Sequence, residues 1–307
     1  MNILFLDHSC HLKTKSADFF LEILRRMHTV ETHYYERYYD CRVPKAKIAA
    51  SDLVIFWEFL PGRYDIAISG KPCLFVPMYD NEWGSKWQWR RIAKSGISVL
   101  SFCDAITAHA KKYGVKNLLT VHYAFNPDGF TDSGDPRRAI YWDRGNFKET
   151  KIRSLFAPGA LDELYIQRDF LAPADYERLL SRFGIYIAPR RKEGIGMAFL
   201  EQLARGKCII AHDDATMNEY IENGRSGILR DFDAENPRPI TAGEIAAASK
   251  GVHAAAEAHH RRWLAEHDTI LPFIVEAAKT TVRRYHGVTD ACRFLFGIVE
   301  YFLMRAS

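Results

Sequence analysis

The sequence has neither paired cysteines nor a long apolar run. Its six cysteines are scattered, with no C-x-x-C pair and no cluster of cysteine and histidine at the spacing of zinc ligands. No stretch reaches about 18 uncharged apolar residues, so no membrane-spanning helix is predicted. The first residues, MNILFLDHSC, have no basic leader and read as a strand rather than a signal peptide. Scattered thiols are typical of a reducing compartment, and we expect a cytoplasmic protein.

Charge of neither sign is in large excess. The chain has 42 Lys and Arg residues against 38 Asp and Glu residues, which gives a net charge of +4. Residues 1–130 carry 17 of the basic residues and 13 of the acidic ones. So small an excess predicts no nucleic-acid partner. A hydrophobic content of 48% also excludes intrinsic disorder.

The first part of the chain alternates between short apolar runs and helical stretches. We predict strands at Asn2–Leu6, Thr29–Tyr35, Leu53–Phe59, Pro72–Met78, Ser98–Phe102 and Leu118–Tyr123. Helices are predicted at Ser16–His28, Lys86–Lys94 and Asp104–Tyr113. Short apolar strands interleaved with helices indicate an α/β fold whose parallel sheet is covered on both faces.

A length of 307 residues predicts two domains of about 150 residues each. The turn-rich stretch Asn126–Arg138 is the predicted linker. The alternation then restarts, with strands at Ala139–Trp142, Ile185–Ala188, Lys207–Ala211 and Gly227–Leu229, and helices at Lys148–Phe156, Ala174–Arg182, Met197–Arg205 and Met217–Glu222. Further helices are predicted at Glu244–His260 and Val288–Arg305. The predicted division is therefore 1–130, 131–240 and a helical segment 241–307.

The most informative segment is the strand–loop–helix unit that ends in the 197–205 helix. Its loop contains Glu193, Gly194 and Gly196, and glycines at a helix start allow a ligand to approach the backbone. The free N–H groups and the positive end of the helix attract phosphate. Glu201 lies roughly 6–7 Å further along the helix axis, where it can accept hydrogen bonds from hydroxyl groups. A diphosphate with a sugar at each end, that is, a nucleotide-sugar, matches this layout.

The segment EGIGMAFLEQLARGKCIIAHDDATMNEYIENGRSGIL resembles the donor-binding segment of retaining glycosyltransferases of the GT-B type, family 4 and its relatives. These enzymes carry two glutamates separated by seven residues, as Glu193 and Glu201 are here. The resemblance implies two doubly wound Rossmann-like domains that face a cleft, followed by C-terminal helices. It implies transfer of a sugar, with retention, from a nucleotide-sugar to a glycan or a lipid-linked saccharide, as in polysaccharide biosynthesis.

The resemblance also assigns roles to residues of the predicted donor domain. Glu193 would bind hydroxyl groups of the donor sugar, and Glu201 would bind the ribose. The sugar and the phosphate would be held by backbone amides around Gly194, Ile195, Gly196 and Met197. A cationic pair after the first strand of this domain would neutralise the departing diphosphate. This pair would be Arg144 with either Lys148 or Lys151, although the family's usual spacing falls on Glu149.

In the first domain, Asp80 matches the aspartate of a His–Asp pair that the family often has, and Tyr79 replaces the histidine. Asp80 is equally consistent with a turn residue. The family's glycine-rich first loop is missing, and His8, Lys13 and Lys15 there would contact the acceptor or a phosphate. The basic bias of this domain agrees with a lipid diphosphate acceptor and with contact to the anionic inner face of the membrane.

We expect no cofactor and no metal. The single D-x-D sequence, Asp231–Phe232–Asp233, follows the last predicted strand, and the cations make a metal unnecessary. The alternatives are a sugar-nucleotide epimerase or hydrolase, a non-catalytic partner with this fold, and an NAD(P)-binding oxidoreductase. The last rests on Gly194-x-Gly196 followed by Asp213 and Asp214, and Phe199 stands where that fingerprint has its third glycine.

Overall fold

The computed structural model describes residues 1–36, 44–61, 68, 70–81, 86–130 and 133–283. The helix predicted over Val288–Arg305 lies outside the described residues. The chain divides into two compact units, of which unit 1 contains Met1–Val121 together with the segment from His267 onward. Unit 2 contains His122–Glu266. The domain boundaries predicted at 130 and 240 stay predictions.

Unit 1 contains a six-stranded parallel sheet in the order β2-β1-β3-β4-β5-β6. The strands are β1 Asn2–His8, β2 Thr29–Tyr35, β3 Leu53–Glu58, β4 Cys73–Pro77, β5 Ser98–Ser101 and β6 Leu118–Thr120. Its helices are α1 His11–Thr14, α2 Asp18–Arg25, α3 Lys45–Ala50, α4 Lys86–Ser95, α5 Asp104–Lys112 and, near its end, α12 Ile270–Ala277. Each described strand of this sheet matches a predicted strand to within a few residues.

The central strands of unit 1 are mostly apolar because they are covered on both faces. All residues of β3 and β4 are buried, as are five of the seven in β1. Rings fill the space between this sheet and α2. The Trp57 ring lies 5.2 Å from the Phe20 ring and 5.7 Å from the Phe5 ring, centroid to centroid.

Unit 2 contains a five-stranded parallel sheet in the order β11-β10-β9-β7-β8. The strands are β7 Asp135–Trp142, β8 Glu163–Gln167, β9 Phe183–Ile187, β10 Cys208–His212 and β11 Gly227–Arg230. The helices are α6 Glu149–Ser154, α7 Pro173–Leu180, α8 Met197–Ala204, α9 Met217–Tyr220, α10 Ala242–Ser249 and α11 Val252–His267, and a 3₁₀ turn spans Pro127–Gly129. The parallel strands bring the loops that follow β7, β9 and β10 to one edge of this sheet.

Two features of unit 2 differ from the prediction. Strand β8 was not predicted, because it is a half-exposed edge strand in which one of five residues is buried. The helix predicted over Glu244–His260 is two helices, α10 and α11, separated at Gly251. A Cβ at Gly251 would lie 2.3 Å from the Arg225 carbonyl oxygen, so the chain turns where it packs directly on another segment's backbone.

A buried lysine fixes the start of β9. Lys207 is fully buried, and its Nζ donates hydrogen bonds to the carbonyl oxygens of Leu180, at 3.0 Å, and Phe183, at 2.7 Å. These bonds tie the end of α7 to the strand that leads into the 193–197 loop, while satisfying a buried charge. Among the residues that the structure describes, no helix is long and apolar enough to cross a bilayer.

Candidate functional site

The turn between β9 and α8 presents free backbone amides. Helix α8 begins after Gly196, which adopts φ 81° and has no side chain that could cap the helix. The first intrahelical bond runs from the Leu200 N–H to the Gly196 carbonyl at 3.0 Å. The N–H groups of Met197, Ala198 and Phe199 precede that bond, and such groups at a helix start are ready to bind an anion.

Only glycine fits at position 196. A Cβ there would lie 2.0 Å from the Phe199 ring, which is fully buried and cannot move aside. Gly194 and Ile195 are buried next to it. The sequence therefore predicted the shape of this turn correctly, although it gave no sign of the ring beneath it.

Glu193 is held at the start of the turn by its backbone. The residue is 8% exposed, and its carbonyl oxygen accepts a hydrogen bond from Thr216 Oγ1 at 2.8 Å. Thr216 is itself buried and adopts φ 69°, which is unusual for a β-branched residue. Its strained backbone precedes α9 and links the β9–α8 turn to the chain after β10. No sequence pattern pointed to Thr216.

Arg144 follows β7 by two residues and lies within electrostatic reach of Glu193. Burial lowers the pKa of Arg144, and Arg190 lowers it further, while Tyr186 and Glu193 oppose this shift. The structure thus brings two of the predicted site residues within electrostatic reach of each other.

The same guanidinium stacks on an aromatic shelf formed by Trp142, Phe170 and Tyr176. It lies 4.6 Å from the Trp142 ring and 5.1 Å from the Phe170 ring. The Trp142 ring lies 5.1 Å from that of Phe170 and 5.8 Å from that of Tyr176. Phe170 is 74% exposed, so one face of the shelf is open to a ligand. Sequence reasoning missed the shelf because its residues come from three separate segments.

Glu201 is half-buried and forms an ion pair with Arg205, which lies one helical turn further along α8. Arg205 Nη2 lies 2.7 Å from the Glu201 carboxylate and 2.7 Å from that of Glu177. Burial favours a neutral Arg205, but the hydrogen bonds and charges of both glutamates raise its pKa. Arg205 therefore fixes the carboxylate of Glu201 from one side.

Two phenols lie within electrostatic reach of these glutamates: Tyr186 of Glu193 and Glu201, and Tyr176 of Glu201. Burial and then the charge of Glu201 raise the pKa of Tyr176 to about 12. Tyr186 is fully buried, and burial together with Tyr176 and the two glutamates raises its pKa well above the ordinary value. Both hydroxyl groups therefore stay protonated and neutral at neutral pH.

The lysines predicted to pair with Arg144 line a separate cavity of about 600 Å³ in unit 2. Lys148 is exposed and lines it together with Asn146, Arg191 and Phe232. Lys151 also lines it and donates a hydrogen bond to the Ala234 carbonyl.

Glu149, at the family's usual spacing, is also engaged elsewhere. Its carboxylate bonds Arg153 Nε at 2.8 Å and Arg168 Nη2 at 2.5 Å, and these hydrogen bonds lower its pKa. The partner of Arg144 stays a prediction.

The D-x-D sequence comes close to a histidine in unit 2. Ring and carboxylate atoms of His212, Asp231 and Asp233 lie within 4.8 Å of one another. However, His212 Nδ1 accepts a hydrogen bond from the Phe232 amide at 3.0 Å, and Arg191 pairs with Asp233. With Nδ1 accepting, a neutral His212 carries its proton on Nε2, so this donor set does not fit a resident divalent ion.

In unit 1, the predicted residue Asp80 follows β4 and lies near an acidic cluster. His11 Nδ1 is 2.5 Å from Asp7 Oδ1, and His11 Nε2 is 3.2 Å from Glu58 Oε2. Burial favours a neutral ring, but Asp7, Glu58 and Asp80 together raise the pKa of His11. The structure therefore places Asp80 beside three groups that the sequence did not bring together.

The other residues predicted to contact a ligand in the first loop are His8, Lys13 and Lys15. His8 Nδ1 accepts from the Cys10 amide at 3.1 Å, and His8 Nε2 bonds the Glu36 carbonyl at 3.0 Å. Lys13 is exposed, and Lys15 Nζ lies 3.9 Å from Asp18.

The part of the chain that contains this site is similar to a known protein family. Residues 169–238, which contain the β9–α8 turn, match the family described as Glycosyl transferases group 1. No curated protein matches the chain by sequence. A solved glycosyltransferase from Rickettsia africae ESF-5 is similar with a TM-score of 0.60 and 13% identity, covering 91% of this chain and 99% of that chain. HepE from Anabaena in complex with UDP gives a TM-score of 0.58 and 14% identity, covering 90% and 100%.

Two units, each with a parallel sheet flanked by helices, match the fold of solved GT-B glycosyltransferases. The match to glycosyl transferases group 1 covers residues 169–238, which lie in unit 2. The predicted fold class is confirmed and the family match supports the predicted enzyme class, while the roles of individual residues stay predictions.

A substitution at Gly196 tests the shape of the turn. We expect Gly196→Ala to lower the free energy of unfolding by more than backbone strain alone would, because alanine is strained at φ 81° and collides with Phe199. Gly224→Ala is the matched control, since Gly224 also has φ 81° but no atom lies within 4 Å of the point that an added Cβ would occupy. The control should lose about 1–2 kcal/mol from backbone strain. Denaturant unfolding measures the free energy of unfolding of both variants, and equal losses would contradict the account.

The pair formed by Asp7 and His11 predicts a pH-dependent stability. The pKa of His11 is raised in the folded state above its unfolded value of about 6.5. The contribution of His11 to the free energy of unfolding is therefore fully present below about pH 6.5, and it is lost as the pH rises through the folded-state pKa. The melting temperature of wild type should therefore exceed that of His11→Asn by more at about pH 6 than at about pH 9.

The control for this measurement is His28→Asn. Burial lowers the pKa of His28, so the difference from wild type should have the opposite pH dependence. A difference for His11→Asn that does not change with pH would contradict a protonated His11.

Proposed function

We propose that the protein transfers a sugar from a nucleoside diphosphate sugar to a glycan or lipid-linked saccharide, with retention and without a metal, as a step in polysaccharide biosynthesis. The observation that carries this proposal is the uncapped start of α8, with Glu193 and Arg144 beside it. The amides and Arg144 suit a diphosphate, and the buried Glu193 suits the hydroxyl groups of a sugar.

The charges of the site favour a donor that is anionic in the middle and hydroxyl-rich at both ends. A carboxylate repels a phosphate, so Glu193 and Glu201 suit the sugar and the ribose that flank the diphosphate. The phenols of Tyr176 and Tyr186 remain neutral and do not add to the negative charge. HepE from Anabaena, with the same fold, has been solved with UDP-glucose, which supports this class of donor.

The aromatic shelf supports binding of the base in the same donor. Phe170 presents an open ring face, and Arg144 connects the shelf to the phosphate-binding end of the site. Stacking on such a surface stabilises a bound planar base, whatever the hydrogen-bonding pattern of that base.

In the proposed reaction, the bond between the sugar and the diphosphate breaks and the sugar becomes oxocarbenium-like. Negative charge grows on the leaving diphosphate, where Arg144 and the α8 amides bind it more tightly than in the ground state. The donor-domain geometry assigns no nucleophile. Retention is supported by the resemblance of the 193–229 segment to retaining families.

Neutral substitutions of the two glutamates test their separate roles. We expect Glu193→Gln to lower kcat by about 10²-fold, since it acts on the reacting sugar, and to leave UDP binding nearly unchanged. Glu201→Gln should weaken UDP binding roughly tenfold through lost ribose bonds. Nucleoside diphosphate release from a panel of nucleotide-sugars and calorimetry with UDP measure these effects.

The matched control is Glu177→Gln, which also removes a carboxylate from Arg205 but lies away from the α8 start. It should leave both quantities near their wild-type values. Full activity of Glu193→Gln, or equal weakening of UDP binding in the Glu177 and Glu201 variants, would contradict these roles.

Contact with an anionic membrane surface is a second part of the proposal. A cavity of about 340 Å³ in unit 1 is lined by Lys86, Arg90, Lys112 and Tyr113. In the described part of the chain, none of these three cations forms an ion pair. Unpaired surface cations of this kind attract anionic headgroups, at about 1 kcal/mol each.

Sedimentation with phosphatidylcholine vesicles that contain about 30% phosphatidylglycerol tests this contact. Replacing Lys86, Arg90 and Lys112 with glutamine should weaken vesicle binding by about 10²-fold. The control variant replaces three other exposed lysines of unit 1 with glutamine, namely Lys13, Lys45 and Lys116. Vesicle binding should be weakened less in this control. Equal binding by wild type and the first variant would refute the contact.

A further inference from the structure

Thr216 lies between β10 and α9 in a backbone conformation that its side chain disfavours. It adopts φ 69° and ψ −56°, close to the values of the rare and strained form of the γ-turn. In the part of unit 2 that the structure describes, it is the only residue other than glycine with a positive φ. Such strain persists only where surrounding groups enforce it, and residues strained in this way occur preferentially at functional sites.

The hydroxyl group of Thr216 holds the first residue of the β9–α8 turn. Its Oγ1 donates to the Glu193 carbonyl oxygen at 2.8 Å. Thr216 is fully buried and Glu193 is 8% exposed, so bulk water does not compete for this bond. A buried carbonyl that loses its donor costs free energy, and the bond therefore fixes the backbone of Glu193 relative to α9.

Contacts on both sides of Thr216 hold it in place. Immediately before it, the Ala215 N–H donates to Asp214 Oδ1 at 2.7 Å. At the end of α9, His259 Nε2 of α11 donates to the Tyr220 carbonyl oxygen at 2.8 Å. Helix α9 is therefore anchored to other parts of unit 2 and offers Thr216 a fixed support.

The start of α8 has a second contact with α9 that does not involve Thr216. The Tyr220 ring lies 5.9 Å from the Phe199 ring in an edge-to-face arrangement. Phe199 is the residue that leaves room only for glycine at position 196. Loss of the Thr216 hydroxyl group would thus release the backbone of Glu193, while Phe199 still holds the first turn of α8.

We propose that Thr216 is a positioning residue for sugar transfer, which acts through the backbone of Glu193 to place its carboxylate against the donor sugar. The inference rests on the proposed glycosyl transfer, in which Glu193 binds that sugar. It adds a residue from a separate segment that sets the position of this glutamate. Thr216 itself is buried and bonded to the Glu193 carbonyl, so it touches no substrate. Small displacements of a group that contacts the reacting centre slow a reaction strongly.

Thr216→Val and Thr216→Ser separate the hydroxyl group from the rest of the side chain. Valine keeps the branched shape but cannot donate a hydrogen bond, whereas serine donates but lacks the methyl group. We expect Thr216→Val to lower kcat for nucleoside diphosphate release from a nucleotide-sugar roughly tenfold, with KM and UDP affinity near their wild-type values. The kcat of Thr216→Ser should stay near that of wild type.

Melting temperatures of the same two variants identify a purely structural role. Both variants should melt below wild type, because valine leaves a buried carbonyl unpaired and serine leaves a small cavity. A positioning role predicts that only Thr216→Val loses kcat. A kcat that falls with the melting temperature in both variants, or that is unchanged in Thr216→Val, overturns the proposal.

A double variant tests whether Thr216 acts through Glu193. In Glu193→Ala no carboxylate is left to position, so adding Thr216→Val should not lower kcat further. Independent roles would instead multiply, and the double variant would be roughly tenfold slower than Glu193→Ala alone. That second result would contradict the proposal.

Amide hydrogen exchange of the ligand-free protein keeps the inference apart from the proposed function. Exchange at Gly194 and Ile195 should be faster in Thr216→Val than in wild type or Thr216→Ser, because the turn has lost its anchor. Equal exchange in all three proteins overturns the inference even if sugar transfer is confirmed. A wild type that neither binds UDP nor releases it from nucleotide-sugars counts against the proposed transfer, whereas the exchange rates decide whether Thr216 positions Glu193.

Discussion

The start of helix α8 is the constraint on which the rest of the site depends. Gly196 cannot cap the helix, and the Phe199 ring excludes any larger residue there, so the first amides of α8 stay available to an anion. Thr216 fixes Glu193 on one side of these amides, and Arg205 fixes Glu201 one turn further on. Each of the two glutamates is therefore held in place by a contact within unit 2.

Much of the fold could be predicted because buried strands leave a continuous apolar signature, as LVIFW does in β3. The β9–α8 turn was also predictable, since local glycines and a helix start are adjacent in sequence. Strand β8 and the helix break at Gly251 were not, because exposure at an edge and close contact with Arg225 are set by distant segments. The same reason hid the aromatic shelf and the contacts of His11 with Asp7 and Glu58, whose partners come together only in three dimensions.

A crystal structure of the protein with UDP tests the central claim most directly. The account predicts that phosphate oxygens accept hydrogen bonds from the amides at the start of α8, with the ribose at Glu201 and Arg144 beside the diphosphate. A diphosphate bound instead in the cavity lined by Lys148 and Arg191, or an α8 start without ligand while UDP binds elsewhere, would contradict it.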